Sequence, residues 1–163
     1  MKITRKEIDT LYKWVSNTTL PTRKAPTSEG YANKEIKYCW LKGVGNGVTI
    51  RKKLMDEDVF QIYHNNDNIL FSMYAIFDNG MELGPHRDPN IYREPYKRIQ
   101  IPVCIPDKNK CYMIWKGEKV TWEEGIAQVY EVMDYVHEGY NYSDYPMTFL
   151  FVDIKKDTVV EME

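Results

Sequence analysis

The side chains best placed to do chemistry in this sequence are its histidines, and there are three of them. His86 stands in Gly84-Pro85-His86-Arg87-Asp88-Pro89. Alternate residues of an extended segment share a face, so His86 and Asp88 would present an imidazole nitrogen and a carboxylate oxygen side by side. His137 comes much later, in Tyr135-Val136-His137-Glu138-Gly139, just after an apolar run. Strand closure in a barrel could bring it to the first pair. Two imidazoles and one carboxylate on one face of an octahedron leave three positions open, which is the ligand set of non-haem Fe(II) oxygenase chemistry. The open positions matter because such an iron must take both a chelating co-substrate and O₂. A His-x-Asp triplet alone is common in turns and does not decide the matter. His64, in Tyr63-His64-Asn65-Asn66 after a predicted helix, is read as a surface or capping histidine.

Those residues need a scaffold to meet, and the chain changes texture along its length. Thr4-Arg5-Lys6-Glu7 has the form of a capping box, and Ile8, Leu11, Tyr12 and Val15 follow at helical spacing. A helix is predicted over residues 5–16. Residues 21–30 read as an exposed loop and 35–41 as a strand. Gly43-Val44-Gly45-Asn46-Gly47 reads as a flexible turn; it lacks the Gly-Lys-Ser/Thr of a phosphate-binding loop. Residues 56–65 suggest a short helix with Val59, Phe60 and Tyr63 inward.

From Ile69 onward, short apolar or alternating runs are separated by Gly, Pro, Asn and Asp. The runs cover residues 69–77, 81–86, 98–105, 111–115, 127–133 and 147–154. Turns are expected at 78–80, 106–109 and 122–125. This spacing predicts an all-β sandwich or small barrel. The whole chain, 1–163, reads as a single domain, with 1–66 as helical and loop support and 67–156 as the β-core. The polar tail, 155–163, is expected to fray.

A chain of 163 residues is long enough to bury a core without staples. Its net charge of −2 supplies no overall basic field for nucleic acid, although interleaved Arg and Tyr could stack bases. Cys39, Cys104 and Cys111 are odd in number and form no C-x-x-C pair, which argues against a disulfide framework or zinc ribbon and fits a reducing compartment. Cys104 and Cys111 are expected to pack in the core. The first residues are charged and the apolar runs are too short to span a bilayer, so a cytoplasmic protein without membrane contact is expected.

Phe77-Asp78-Asn79-Gly80-Met81-Glu82-Leu83-Gly84-Pro85-His86 resembles the first iron-binding strand of the aspartyl/asparaginyl β-hydroxylase family. Arg98-Ile99-Gln100-Ile101-Pro102-Val103-Cys104-Ile105-Pro106 resembles that family's next strand. Thr121-Trp122-Glu123-Glu124-Gly125 resembles the turn before its second histidine, His137-Glu138-Gly139-Tyr140-Asn141 the segment holding it, and Phe149-Leu150-Phe151-Val152-Asp153-Ile154 the final core strand. The order and spacing match over about residues 71–154; residues 1–65 show no such resemblance.

The resemblance implies a mostly β double-stranded β-helix, a jelly-roll or cupin-like fold, with N-terminal helical decoration. It also implies Fe(II) on His86, Asp88 and His137, with 2-oxoglutarate as co-substrate and O₂ as oxidant. The products would be succinate, CO₂ and a hydroxylated amino-acid side chain, free or in a protein. The sequence departs from the pattern twice. Animal members commonly have glycine where Asp88 stands, so Asp88 restores the full ligand set. The family's arginine for the distal carboxylate of 2-oxoglutarate falls on Met147. Arg98, with Gln100 beside it, is the expected replacement, ahead of Lys97 and Lys155. If none of them reaches, the co-substrate binds poorly or is something else. Arg87 and Arg93 flank the site loop, and residues 90–96 form a Tyr-, Arg- and Pro-rich insertion that either binds substrate or merely connects. Two rival readings stand: an oxygenase of the same fold acting on nucleic acid or a small metabolite, and a degenerate, non-catalytic jelly-roll binding module.

Overall fold

The computed structural model describes residues 2–26, 30–45, 47–92 and 94–162. In chain order the strands are β1 (Lys2–Ile3), β2 (Arg23–Ala25), β3 (Ile36–Gly45), β4 (Gly47–Ile50), β5 (Ile69–Phe77), β6 (Met81–His86), β7 (Tyr96–Cys104), β8 (Cys111–Trp115), β9 (Glu118–Thr121), β10 (Gln128–Tyr130), β11 (His137–Asn141), β12 (Met147–Lys155) and β13 (Val159–Val160). Two helices, α1 (Arg5–Ser16) and α2 (Glu57–Asn65), precede β5. A seven-stranded sheet has the order β10-β7-β12-β5-β3-β2, with β4 attached to β3, and a four-stranded sheet has the order β6-β11-β8-β9. The architecture is the mostly β jelly roll expected from the sequence.

β12 shows why the sheets lie where they do. Its residues from Met147 to Ile154 are all buried, because it sits between β5 and β7 with both faces covered. Met147, Phe149 and Phe151 join a core with Phe77, Met81, Met113, Trp122 and Tyr130. Leu150, Val152 and Ile154 join another with Ile8, Leu11 and Val15 of α1 and Val59 and Tyr63 of α2. The first core carries side chains of both sheets; the second lies under the helices. α1 forms because the Thr4 side chain accepts from the Glu7 amide while Glu7 Oε1 accepts from the Thr4 amide at 3.0 Å. Burying Ile8, Leu11, Trp14 and Val15 then fixes it, at roughly 1.5–3 kcal/mol per large apolar side chain.

The N-terminal third is more than helical support. β2 lies inside the stretch read as an exposed loop. The glycine-rich stretch read as a turn is mostly the β3–β4 hairpin, whose Asn46 lies outside the described residues. β3 pairs with β5, so it is a body strand of the larger sheet. β9 and β11 were not among the predicted runs; both are short and polar. The tail does not fray throughout: Val159–Val160 pairs with Lys2–Ile3 in parallel. Cys111 is buried as expected, but Cys104 is exposed at the end of β7. Phe60 is only half-buried and stacks on the exposed His64. No helix among the described residues is long and apolar enough to cross a membrane.

Candidate metal centre

β6 ends on His86 and β11 begins on His137, and the antiparallel register sets the two residues opposite each other. The register then shifts between His137 and Gly139, an irregularity of the kind that re-aims side chains at a barrel rim. Their ring centroids are 4.3 Å apart. Each ring is held by a carbonyl two residues earlier. His86 Nδ1 lies 2.7 Å from the Gly84 oxygen and His137 Nδ1 lies 3.0 Å from the Tyr135 oxygen. A ring nitrogen against a carbonyl oxygen carries the proton and donates it, so Nε2 of each neutral ring keeps a lone pair.

The strand bearing His86 is also clamped from outside. The Gly84 amide donates to the Tyr31 carbonyl at 2.9 Å, and Tyr31 stacks on the His86 ring at 3.7 Å, 3° from parallel. A Cβ at Gly84 would stand 3.3 Å from that carbonyl, so glycine is what lets the 31–33 segment lie this close.

Asp88 follows β6, and its amide donates to the Val132 carbonyl at 2.9 Å. Its Oδ1 lies 3.1 Å from His137 Nε2 and 3.5 Å from His86 Nε2. That oxygen is buried and has no hydrogen-bond partner among the described residues. Ligand atoms of His86, Asp88 and His137 all fall within 4.8 Å of one another. Three lone-pair donors converging on one point without a proton between them repel each other, and a divalent cation relieves that repulsion. The donor set, two imidazoles and a carboxylate, suits Fe(II). The three residues therefore fit the metal.

The other oxygen of Asp88 is already engaged. Arg98 Nη1 donates to Asp88 Oδ2 at 2.8 Å. The same guanidinium grips Asp153 through Nε at 2.7 Å and Nη2 at 3.1 Å, and Tyr92 donates its hydroxyl to Asp153 Oδ2 at 2.8 Å. Asp153 is fully buried. Burial alone would raise the Asp88 carboxyl, but the Arg98 guanidinium paired with its Oδ2 outweighs burial and holds the group far below the usual carboxylate range. Burial would likewise lower Arg98, and Asp153 and Asp88 instead hold it well above its ordinary value. The Tyr92 hydroxyl is pushed up by burial and by the adjoining Asp153, so it stays a donor. Tyr96 anchors the same loop by donating to the Pro89 carbonyl at 3.0 Å. The loop read as a substrate-binding insertion or a plain connection is thus tied back to the site at both tyrosines. Arg93, the second arginine singled out there, lies outside the described residues, and Arg87 is exposed.

From this charged rim a cavity of about 170 Å³ runs between the sheets. Gln100 is in its wall with its Oε1 accepting from Trp122 Nε1 at 2.6 Å, which leaves the amide nitrogen to donate elsewhere. Leu83, Met113, Phe77, Met147, Phe149 and Phe151 make much of the wall away from the metal, with Tyr130 beside them. Lys97 and Lys155 do not line it. The structure thus brings His86, Asp88, His137, Arg98 and Gln100 to one cavity, and leaves His64 on the surface. Asp153, Tyr92 and Tyr31 were missed in the sequence. Asp153 did leave a signal, a lone carboxylate inside an otherwise apolar strand, which implies a buried partner. Tyr31 left none.

The sequence model of the aspartyl/asparaginyl β-hydroxylase family matches residues 2–157. This chain belongs to that family. It is therefore an oxidoreductase of the hydroxylase kind, and the match extends the resemblance back through α1, β2 and β3, well beyond residues 71–154. No curated protein sequence matches the chain. Among solved structures it is similar to a 2OG-Fe(II) oxygenase family oxidoreductase from Burkholderia pseudomallei. That likeness has a TM-score of 0.61 and 9% identity, over 98% of this chain and 83% of that one. It is also similar to a protein described as a predicted oxalate decarboxylase from Thermotoga maritima, with a TM-score of 0.50 and 14% identity, over 86% and 95% of the two chains. At these identities the likenesses show the fold alone, a jelly roll.

Proposed function

We propose that this chain is an Fe(II)-dependent hydroxylase that consumes a 2-oxo acid and O₂. The observation that carries the reading is the convergence of His86 Nε2, His137 Nε2 and the unpartnered Asp88 Oδ1 at the head of a cavity between the sheets. One 2-oxo acid, one O₂ and one C–H bond would give the carboxylic acid one carbon shorter, CO₂ and an alcohol. The iron, when bound, supplies the activation of O₂. The protein's part is to hold, orient and keep dry. His86 and His137 offer Nε2 because Gly84 and Tyr135 fix their other nitrogens. Asp88 offers Oδ1 because Arg98 and, behind it, Asp153 hold Oδ2 away. The apolar wall excludes water from the reacting end. The 2-oxo-carboxylate group, which 2-oxoglutarate shares with every 2-oxo acid, is the part the metal requires.

Family membership supports an amino-acid side chain, free or within a protein, as the group hydroxylated. Exposed Ile91, Tyr135 and Val136 stand on the loops next in chain to Asp88 and His137, and would meet such a substrate first. The test is CO₂ release from a 2-oxo acid when O₂ is admitted to the Fe(II)-loaded protein, beside metal content by equilibrium dialysis. Wild-type protein should bind one iron and release CO₂, and His86→Ala should lose both by at least a hundredfold. Iron binding without release from any 2-oxo acid would remove the co-substrate from the reading and leave a metal-binding jelly roll.

A further inference from the structure

The cavity is built for one carboxylate and no more. Arg98 is the cation in its wall among the described residues, and its single charge is already shared between Asp153 and Asp88, with one bond from each nitrogen. The other charged residues of the wall, Asp88 and Glu138, are acidic, and Glu138 accepts from the Tyr140 hydroxyl. Formal charge gives the same answer. One guanidinium against Asp88, Asp153 and Glu138 leaves two negative charges. A divalent cation offsets those two, and the carboxylate that a 2-oxo acid sets on the metal already makes the site negative. A second carboxylate would make the buried site more negative with no second cation among the described lining residues to receive it, and burying an unpaired carboxylate is strongly unfavourable.

The register shows where a second carboxylate would have to go. On β7 and β12 the pair Arg98–Asp153 is followed by Gln100–Phe151 and then Pro102–Phe149, so polarity falls away from the rim. Further along β12, Met147 pairs with Phe77 of β5. Met147, Phe77 and Phe149 are all nearly fully buried. Trp122 and Phe149 meet edge to face at 4.8 Å, which closes that end with rings. The donors that the wall offers beside Arg98 are neutral, among them the Gln100 amide and the Tyr130 hydroxyl. 2-Oxoglutarate therefore does not fit at its distal carboxylate. We infer that the co-substrate is a 2-oxo acid with an uncharged, apolar side chain, branched aliphatic or aromatic, seated against Met147, Phe149 and Phe151.

This inference rests on the 2-oxo-acid reading, and the experiment separates the two. Fe(II)-loaded wild-type protein is titrated anaerobically with 4-methyl-2-oxopentanoate, phenylpyruvate and 2-oxoglutarate. The readout is the visible charge-transfer band that a 2-oxo acid gives on chelating Fe(II), with metal occupancy followed separately by dialysis. One of the two apolar acids should bind at least tenfold more tightly than 2-oxoglutarate. In Met147→Arg the order should reverse, with 2-oxoglutarate gaining at least tenfold. The wild-type ranking decides by itself, whether or not that variant folds. Tighter or equal binding of 2-oxoglutarate overturns the inference and leaves the 2-oxo-acid reading standing. Bound iron with no band from any of the three overturns both.

Discussion

β12 buries two faces, and they are made of different material. The helix-side face offers Leu150, Val152 and Ile154 to the aliphatic side chains of α1, α2 and β7. The inter-sheet face offers Met147, Phe149 and Phe151, and ends in Asp153. Branched aliphatic side chains interdigitate and fill space. The rings of the inner face instead brace one another. Phe149 stacks on Phe151 at 5.6 Å and meets Phe77 and Trp122 edge-on, and a cavity remains beside them. One strand thus supplies a filled core on one side and a hollow, charge-headed one on the other. The helices belong to this arrangement because they seal the face that does no chemistry and leave the other free to be hollow.

The largest effect should come from breaking the charged head of the inner face. Arg98→Met leaves Asp153 and Asp88 facing each other without a cation, and should cost about 3–5 kcal/mol in chemical denaturation. Replacing Asp153 as well, as Arg98→Met/Asp153→Leu, should recover most of that stability, since a buried ion pair contributes little against apolar side chains of similar size. Iron affinity should not recover. With Oδ2 of Asp88 no longer held, both variants should bind Fe(II) roughly 10–100-fold more weakly, the usual cost of losing a residue that orients a metal ligand. If the double variant regains wild-type affinity, Arg98 serves folding and not the metal.

A pair of truncations sharpens the contrast between the two faces. Leu150→Ala opens a hole in the filled core and should cost about 3–4 kcal/mol, within the range for such changes. Met147→Ala only enlarges a space that already exists, and should cost about 2 kcal/mol. Leu150→Ala should leave the iron affinity of the folded protein unchanged. Equal destabilisation by the two truncations would mean that the inner face is as tightly filled as the outer one.

The parts of this arrangement that were legible in the sequence are those that follow from local pattern. The helix at Arg5–Ser16 announces itself by its capping box and spacing, and Met147–Lys155 by an unbroken apolar run, which marks a strand covered on both faces. The His86 and Asp88 pair was readable from its spacing, although Asp88 lies just past the end of β6. What stayed hidden depended on partners distant in sequence. β9 and β11 are short polar strands that pair only because the smaller sheet exists around them. Tyr31 comes to His86 through a bridge between Ala32 and Leu83, which no local pattern encodes. Arg98 was expected at the co-substrate carboxylate; it stands in the cavity wall, and its bond to Asp153 joins two strands whose register appears only once the sheet is assembled.

The helix-side core also holds a charge, and it answers to pH in a range where the inner one does not. Lys42 on β3 is buried, and its ammonium donates to the carbonyls of Tyr63 at 2.8 Å and Asn66 at 3.1 Å, at the C-terminal end of α2. Those carbonyls are short of donors at a helix end, so the contact is favourable. Burial works against it and brings Lys42 down to about 8, with Asp67 resisting. The folded pKa lies below the unfolded one. Below pH 8 both states carry the proton and the folded state bears the full penalty. Between about pH 8 and the unfolded value the unfolded chain binds more protons, so stability rises with pH. From pH 7.5 to pH 9.5 the gain should be about 1–2 kcal/mol, seen as a higher urea midpoint, and Lys42→Met should flatten the profile. Stopping at pH 9.5 matters because the Tyr63 hydroxyl is raised by burial, and above pH 10 its unfolded form would ionise and reverse the trend. A midpoint that falls over this range would mean that the two carbonyls hold the ammonium more strongly than burial expels it. The helix-side core would then depend on its charge as the inner one does.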